Sequence, residues 1–394
     1  MFFPLNQNNI AQKKYVVLLG TKSYEYCARD RNKEGMEKKK IKDQLKSDRA
    51  PIRVGISIGD INGIGPEVII KAFSDPQMLI ECTPIIYGST KTMNYHKKAL
   101  NNEEFNYLRI EDANDAKPKK INIVACWQEI VDIQLGEMNN TGGAYAFKSL
   151  EAATKDLASG KIDVLVTAPI SKEAIQKAGF EFPGHTEYLA DLSGVKEALM
   201  MMVSGELRVA LVTSHVPLME VGKNVTKDKI IDKIKQLEAS LRKDFGIVRP
   251  RIAVLGLNPH AGEKGKMGNE EGEVITPAIQ AVNAENILAF GPYPADGFFG
   301  SQQYRQFDAV LSMYHDQGLT GFKSIAFEDG VNFTAGLPIV RTSPDHGTAF
   351  DIAGKDLANE QSFRSAVYLA MDIYRTRNFV KEINANPLPL SDSK

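Results

Sequence analysis

The chain has 394 residues, with 48 lysines and arginines against 49 aspartates and glutamates, and a formal net charge of -1. This length exceeds one ordinary compact core and predicts roughly two to three domain-sized units. Because no excess of positive charge is available to hold a polyanion, the composition argues against nucleic-acid binding. Apolar residues make up 43% of the chain, which is enough for a folded interior.

Cysteine usage and the N-terminal apolar content bear on the cellular location. Cys27, Cys82 and Cys126 lie far apart, form no CxxC pair and leave one cysteine over in any disulfide scheme, which predicts a reducing cytoplasm. The most apolar N-terminal run, residues 15–20, is far shorter than the ~20 residues that span a bilayer. It also lacks a convincing signal-peptide cleavage site, so we expect neither secretion nor membrane insertion.

Residues 1–50 differ in composition from the rest of the chain. They are rich in lysine, arginine, asparagine and glutamine, and they include a charge run at residues 37–42. We interpret them as an extension, either a solvated tail or the product of an upstream start codon with Met36 as the real start. The alternative is a basic arm that binds a partner.

From Ile52 onward, short apolar runs rich in β-branched residues alternate with longer amphipathic stretches. This alternation is typical of βα units and predicts a largely parallel sheet. The predicted strands cover residues 53–57, 83–87, 122–124, 164–167, 208–213, 251–257 and 309–313. The predicted helices cover residues 66–73, 142–159, 171–178, 227–245, 275–286 and 361–377.

Three predicted strands are followed by loops that carry a histidine, namely His215, His260 and His315. Ligands of open α/β sheets collect beyond the carboxyl ends of strands, so these loops are predicted to share one crevice. Neutral imidazole is a common ligand of divalent transition metals, and three such ligands leave coordination positions open for a substrate. The long spacing leaves the simpler alternative open, in which each histidine is a hydrogen-bonded structural residue.

Other loops are candidates for binding an anion or a nucleotide. Residues 59–67 follow a strand and open a helix, where free amides favour an anion, but they lack the GxGxxG order. Lys323, Asn332 and Arg341 supply a point charge, an amide and a forked donor that together suit a phosphate. The alternative for these three is a solvated position on surface loops. Residues 346–355 combine histidine, aspartate and small residues that suit an adenosine edge and ribose hydroxyls.

Four long motifs resemble signatures of the 4-hydroxythreonine-4-phosphate dehydrogenase (PdxA) family. They are GHTE at residues 184–187, LNPHAGE at 257–263, MYHDQG at 313–318 and RTSPDHGTA at 341–349. The resemblance runs from about Ile52 to about residue 380 and leaves residues 1–50 outside. It implies a two-lobed α/β/α fold of the isocitrate and isopropylmalate dehydrogenase type, which has no GxGxxG loop. The implied lobes are residues 51–170 with 340–394, and residues 171–339, with the active site in the cleft between them.

The same resemblance implies a role for each candidate site residue. The implied ligands of one divalent metal ion, Zn, Mg or Co, are His215, His260 and His315. The implied substrate contacts are His185, Thr186, Lys323, Asn332 and Arg341, and the implied cofactor contacts are His346, Gly347, Thr348, Ala349 and Asp351. We expect proton transfer or orientation from His185, Asp296 and Asp316, although an aspartate near a metal more often supports a ligand.

The implied reaction is oxidation of 4-phosphohydroxy-L-threonine by NAD or NADP to a 2-amino-3-oxo acid phosphate, which then loses carbon dioxide. This chemistry belongs to the biosynthesis of pyridoxal 5'-phosphate. The resemblance also implies a homodimer with shared active sites, in which His215 and His260 come from one subunit and His315 from the other. Two alternatives remain: a paralogue that oxidises a threonate or erythronate phosphate or a cis-diol, and a non-catalytic regulator that binds a phosphorylated ligand.

Overall fold

The computed structural model describes residues 51–385 and, before them, two short strands, β1 (Tyr15–Leu19) and β2 (Lys22–Tyr26). The two short strands pair antiparallel. The chain separates into two compact units, residues 1–50 and residues 51–394. The expectations about a solvated tail, a basic arm and a start at Met36 concern residues that lie mostly outside the described part.

A protein that begins at Pro51 is expected to keep wild-type turnover and wild-type solubility. The removed segment is polar and charged and offers little apolar surface to a core. Soluble yield and specific activity of proteins that begin at Met36 and at Pro51, each compared with those of the full-length chain, measure the effect. Loss of soluble protein in both shortened forms would contradict the prediction.

In residues 51–385, called the body below, twelve strands form a single sheet in the order β11-β10-β12-β9-β8-β13-β14-β7-β3-β4-β6-β5. These strands are β3 (Ile52–Ser57), β4 (Cys82–Gly88), β5 (Tyr107–Ile110), β6 (Ile121–Ala125), β7 (Val164–Thr167), β8 (Leu199–Ser204), β9 (Leu207–Leu211), β10 (Arg251–Leu255), β11 (Leu288–Tyr293), β12 (Ala309–Ser312), β13 (Val331–Ala335) and β14 (Arg341–Pro344). Every predicted strand and every predicted helix is present, and the predicted α/β class is confirmed.

The helices of the body mostly follow strands, as the βα pattern predicts. They are α1 (Gly65–Ser74), α2 (Met78–Glu81), α3 (Thr90–Ala99), α4 (Asn140–Ala158), α5 (Lys172–Lys177), α6 (His185–Leu192), α7 (Leu218–Asn224), α8 (Lys227–Phe245), α9 (Thr276–Ala284), α10 (Ala295–Gly300), α11 (His315–Ile325) and α12 (Gln361–Ile383). Among the described residues, no helix is both long enough and apolar enough to cross a membrane.

The sheet consists of two parallel sets joined by antiparallel strands. Strands β9, β12, β10 and β11 run parallel to one another. Strands β14, β7, β3, β4, β6 and β5 form the second parallel set. Between them, β8 pairs antiparallel with β9 and β13, and β13 pairs antiparallel with β14. Three successive reversals make the two parallel sets run in opposite directions. The start of β14 therefore lies at the same sheet edge as the ends of β9 and β12.

The long amphipathic helices cover this sheet with apolar faces. On α8 the fully buried side chains are Ile230, Ile234, Leu237 and Leu241, a spacing of three or four residues that places them on one helical face. Thr226 caps the start of this helix and Gly246, with φ of 70°, ends it in the left-handed conformation. The sequence therefore specifies both the buried face and the ends of α8.

The predicted lobe boundaries are two positions in the chain that meet at one junction of this sheet, between β13 and β14. Residue 170 follows β7, and residue 340 lies between β13 and β14, so each implied lobe would contribute six of the twelve strands. The sheet is nevertheless continuous between the two implied lobes, because β13 of one pairs antiparallel with β14 of the other. The division into two lobes remains a prediction.

Candidate active site

The three candidate metal ligands follow neighbouring parallel strands. Strands β10, β12 and β9 lie side by side, so the loops after them share one edge of the sheet, as expected. His215 follows β9, and His315 is the first residue of α11. Their ring centroids are 5.9 Å apart within the same chain. This separation suits two imidazoles that approach one ion.

His260 is not assembled with this pair. Within the part of the chain that the structure describes, no group of three or more histidine, cysteine, aspartate or glutamate side chains is arranged to hold a metal ion. His260 lies instead in a turn at Pro259–Lys264 with φ of 56°, in the left-handed region. The structure thus brings together two of the three expected ligands in one chain and leaves the third apart.

The electrostatic surroundings favour the neutral form of the His215 imidazole, the form in which histidines bind metal ions. Burial, followed by the positive charge of Lys172, lowers the pKa of His215, and His315 lowers it further, while Glu187 opposes them. The Nδ1 atom of His315 lies 2.7 Å from Oδ1 of Asp316, which orients that ring and leaves Nε2 on its other side. Asp316 is otherwise largely exposed, so its observed contact is support of His315 rather than a place in a buried proton relay.

Arg341 is the most deeply buried charged residue among the expected substrate contacts. Its side chain is 3% exposed, although the surface-loop alternative would have left it solvated. Its Nε and Nη2 donate to Thr167 Oγ1 over 3.0 and 2.6 Å, and its Nη1 donates to Thr334 Oγ1 over 3.1 Å. Burial lowers the pKa of Arg341 to about 10, so the guanidinium stays charged at neutral pH. The surface-loop alternative is therefore wrong for this residue.

Among the described residues, no carboxylate forms an ion pair with Arg341. A buried cation without a counter-ion is costly, because the protein interior solvates charge poorly. Glu187 favours the charged form only through a longer-range interaction. An anion that binds beside the guanidinium would therefore supply the missing counter-charge.

His185 adds a second hydrogen-bond donor at this position. Arg341 Nη2 lies 3.1 Å from His185 Nδ1, and since a guanidinium can only donate, Nδ1 accepts. The proton of the neutral ring is then on Nε2, which is buried and has no hydrogen-bond partner. Burial and the charges of Arg341 and Lys172 hold the pKa of His185 well below its usual range. This geometry favours substrate anchoring by His185 over proton abstraction.

Thr186, the next residue on α6, faces a cavity of about 460 Å³. His215 and Ser214 line the same cavity, and so does Lys233, which is buried and pairs with Glu197 over 2.8 Å. Arg341 and His185 are not among its lining residues. Thr186 and His215 therefore share an open space, which His315, Arg341 and His185 do not line.

The two remaining expected substrate contacts lie on regular elements rather than on loops. Lys323 is on α11, and its Nζ donates to Oδ1 and O of Asp345 over 3.1 and 3.3 Å. Asn332 is on β13, and its buried Oδ1 has no hydrogen-bond partner. Lys323 thus already has a carboxylate partner, whereas Asn332 has an unused acceptor. Asp345 is a residue that the sequence analysis did not single out, although it lies within the last motif.

Asp296 follows β11, which runs parallel beside β10, the strand before His260. It is an exposed residue in the first turn of α10, and no hydrogen bond or ion pair of Asp296 is present in the described part of the chain. In the described residues, no polar contact therefore joins Asp296 to the histidine pair or to Arg341. Its proposed role in proton transfer gains no support from this geometry.

The expected cofactor loop packs against the glycine-containing loop after β3. Ile64 N donates to Thr348 O over 3.0 Å, and a Cβ on Gly63 would lie only 2.8 Å from that oxygen, so the close approach requires glycine. Ala349 adopts a left-handed φ of 40°. His346 is partly buried, and its Nδ1 lies 3.1 Å from Gly347 O while its Nε2 is buried without a partner. The structure thus joins the two loops that the sequence marked separately.

Two buried carboxylates at this junction were not expected. Glu67 accepts from the backbone N–H of Ala358 over 3.0 Å and of Gly354 over 3.3 Å, and so ties α1 to the end of the cofactor loop. Asp60 is fully buried, and burial raises its pKa to about 6. The sequence offered a signal for both residues, because Asp60 stands in a glycine-rich turn and Glu67 stands at the start of an apolar helix.

The fold and the site define a mixed α/β protein that holds a charged arginine beside a histidine in its interior and carries two neighbouring histidines after adjacent parallel strands. A family model described as pyridoxal phosphate biosynthetic protein PdxA matches residues 80–370. A 4-hydroxythreonine-4-phosphate dehydrogenase of Bacteroides thetaiotaomicron is 50% identical over 338 residues, which cover 86% of this chain and 93% of the relative. The chain belongs to the PdxA family.

Other relatives fit this membership. A crystal structure of 4-hydroxythreonine-4-phosphate dehydrogenase from Klebsiella pneumoniae is 36% identical, with a TM-score of 0.72, and covers 82% of this chain and 98% of that one. An Oceanobacillus iheyensis protein, provisionally named D-threonate 4-phosphate dehydrogenase, is 41% identical over 82% of this chain and 98% of its own length. The predicted family is confirmed, and its named members are oxidoreductases.

Proposed function

We propose that this chain oxidises 4-phosphohydroxy-L-threonine with NAD or NADP, in the biosynthesis of pyridoxal 5'-phosphate. The product, 2-amino-3-oxo-4-phosphooxybutanoate, is a β-keto acid and loses carbon dioxide to give 3-amino-2-oxopropyl phosphate. Family membership and the relatives' activity support the reaction. The observation that carries the substrate class is Arg341, a buried guanidinium without a carboxylate partner in the described residues.

The substrate anion is proposed to bind beside Arg341 and His185. Three of the four hydrogen bonds from the guanidinium go to uncharged threonine hydroxyls, which orient it without neutralising it. One Nη1 hydrogen and the Nε2 hydrogen of His185 remain for the ligand. Because both are donors in a desolvated position, they favour a phosphate or carboxylate over a neutral group.

A divalent metal ion is proposed to bind at His215, His315 and His260. The donor set fits: His215 and His315 are 5.9 Å apart between ring centroids, and Asp316 orients the His315 ring through Nδ1. A metal bound there would polarise the secondary alcohol and lower its pKa, as is common in metal-assisted oxidation. The chain's own contribution is to hold the carbon skeleton at fixed distance from these histidines, through Arg341 and His185.

The cofactor is proposed to bind along the loop at residues 346–351. His346, Gly347, Thr348, Ala349 and Asp351 would face its adenosine half. The backbone contact between Thr348 and Ile64 and the contacts of Glu67 hold this loop in place, so it is formed before the cofactor arrives.

We also propose a homodimer with shared active sites, since His260 is separate from the other two ligands within one chain.

Removal of the metal is expected to abolish turnover. A chelator should stop NADH production by the purified enzyme, and divalent metal ions should restore it. His260→Ala should greatly lower metal content but leave the protein folded, because its loop is on the surface and its side chain takes no part in the core. Metal analysis and circular dichroism measure the two effects. Full activity in a metal-free preparation would end the metal proposal.

The second candidate is a dehydrogenase of threonate 4-phosphate. The Oceanobacillus iheyensis relative favours it, because it matches this chain nearly as completely as the relatives named for 4-hydroxythreonine-4-phosphate. The two substrates share the phosphate and the secondary alcohol and differ at C2, in an amine or a hydroxyl. NADH production with each substrate at equal concentration distinguishes them. Turnover of either substrate also excludes the non-catalytic regulator.

A further inference from the structure

The turn that carries His260 has an uncommon backbone. His260, Ala261, Gly262, Glu263 and Lys264 have φ values of 56°, 50°, 77°, 41° and 57°, and Gly265 continues the run at 89°. Residues other than glycine disfavour this left-handed region, because Cβ then approaches a carbonyl oxygen. A run of six residues in the left-handed region is therefore unfavourable, and contacts from outside the turn must stabilise it.

Glu271 supplies these contacts. Its Oε1 accepts from the backbone N–H groups of Leu257 and Asn258 over 2.8 and 2.7 Å. Its Oε2 accepts from Asn258 Nδ2 over 3.0 Å. The same oxygen would be 2.5 Å from a Cβ on Gly262, so the carboxylate packs directly against the turn.

The position of Glu271 indicates that holding this turn is its main role. Its side chain is 5% exposed, at the start of a π-helical turn, Glu271–Ile275, that leads into α9. Among the described residues, no lysine or arginine pairs with it, and all three of its hydrogen bonds go to the two residues just before the turn. Single π-turns often occur at functional sites.

We propose that Glu271 is a positioning residue that fixes the left-handed turn and presents His260 to the metal ion. This inference rests on the proposed function, in which His260 is a metal ligand. Without the carboxylate, the turn relaxes towards ordinary backbone conformations, and metal binding must restore it. Metal affinity should then fall while the rest of the body stays folded.

The test compares Zn²⁺ affinity of the purified full-length protein and three variants, by competition with a chromophoric chelator. Glu271→Gln keeps the volume and one acceptor, but its amide N–H₂ faces the N–H₂ of Asn258. Glu273→Gln is the matched control, because Glu273 is an exposed residue of the same π-helical turn as Glu271. We expect about 10- to 100-fold weaker Zn²⁺ binding for Glu271→Gln and unchanged binding for Glu273→Gln. The kcat of Glu271→Gln at saturating Zn²⁺ should return close to that of wild type.

The third variant, His260→Ala, separates this inference from the proposed function. If His260→Ala binds Zn²⁺ as tightly as wild type, the metal assignment itself fails. If His260→Ala binds weakly but Glu271→Gln binds like wild type, Glu271 does not position the ligand. Thermal unfolding of the metal-free proteins completes the test, because a purely structural role would lower Tm without weakening Zn²⁺ binding to the folded fraction.

Discussion

Arg341→Ala is expected to lower kcat/KM for the phosphorylated substrate by roughly 100-fold and to leave the KM for NAD within a small factor of wild type. The change removes the buried positive charge and also the donor that fixes His185 Nδ1. Each charge-assisted hydrogen bond to a ligand contributes about 1.5 to 3 kcal/mol, which corresponds to roughly 10- to 150-fold. Initial rates at varied substrate and varied NAD measure the two effects separately.

Two further variants make this experiment specific. Arg341→Lys keeps a positive charge but cannot contact Thr167, Thr334 and His185 at once, so it should fall between Ala and wild type. Arg208→Lys is the control for replacement of a partly buried guanidinium, because Arg208 lies near the start of β9, at the end opposite His215, and donates to two carbonyl oxygens. Unchanged KM and kcat/KM for the substrate in Arg341→Ala would remove the anion assignment.

Lys323→Ala should also weaken substrate binding, by about 1.5 to 3 kcal/mol if the Lys323 ammonium contacts the phosphate. The contact with Asp345 changes how that result is interpreted. Removal of Lys323 also leaves a mostly buried carboxylate whose pKa burial already raises. A loss in Lys323→Ala that Asp345→Asn reverses would therefore report on this pair and not on the phosphate.

The sequence predicted seven strands of the parallel sets because they are short apolar runs between amphipathic helices, but neither the edge strands β5 and β11 nor the joining strand β8. It did not predict β13 and β14, which join the two halves. Strand β14 has the sequence RTSP, which has no apolar alternation, and it is buried because the sheet continues on both sides of it. Tertiary context decides the conformation of such a segment, since neither its propensity nor its pattern favours a strand.

The order and direction of the strands also explain which parts of the site could be predicted from the sequence. The loop histidines were expected to share one crevice because each follows the carboxyl end of a predicted strand, and His215 and His315 do lie together. The environment of Arg341 was not predictable, because it depends on the strand reversals at β8 and β13. The left-handed turn at His260 was equally hidden, since only Gly262 and Gly265 of its six residues carry a sequence preference for positive φ.

Mixtures of histidine variants are expected to show that His215 and His315 of one subunit act with His260 of the other. This division differs from the one that the family resemblance implies, in which His315 is the ligand from the second subunit. The reason is geometric: the rings of His215 and His315 are neighbours within one chain, and His260 is not grouped with them. Each single alanine variant should be nearly inactive, because an incomplete ligand shell holds the metal weakly.

Pairwise mixing under conditions of subunit exchange distinguishes the possible divisions. In a shared site, two variants restore activity only if their lesions fall on ligands that come from different subunits, because one site then carries both lesions and the other carries none. Half of the dimers in an equal mixture are heterodimers, each with one intact site, so restored activity should be about a quarter of wild type. Metal removal should also loosen the dimer, since an ion bound across the interface stabilises it.

The three mixtures give different patterns for each division. With His215 and His315 from one subunit, His260→Ala restores activity with either of the other two variants, and His215→Ala with His315→Ala restores none. With His215 and His260 from one subunit, the inactive mixture is His215→Ala with His260→Ala. If all three variants fold and exchange subunits yet no mixture recovers activity, each site is built within one chain. His260 would then have to approach the histidine pair by rearrangement of its left-handed turn, and a shared site would be ruled out.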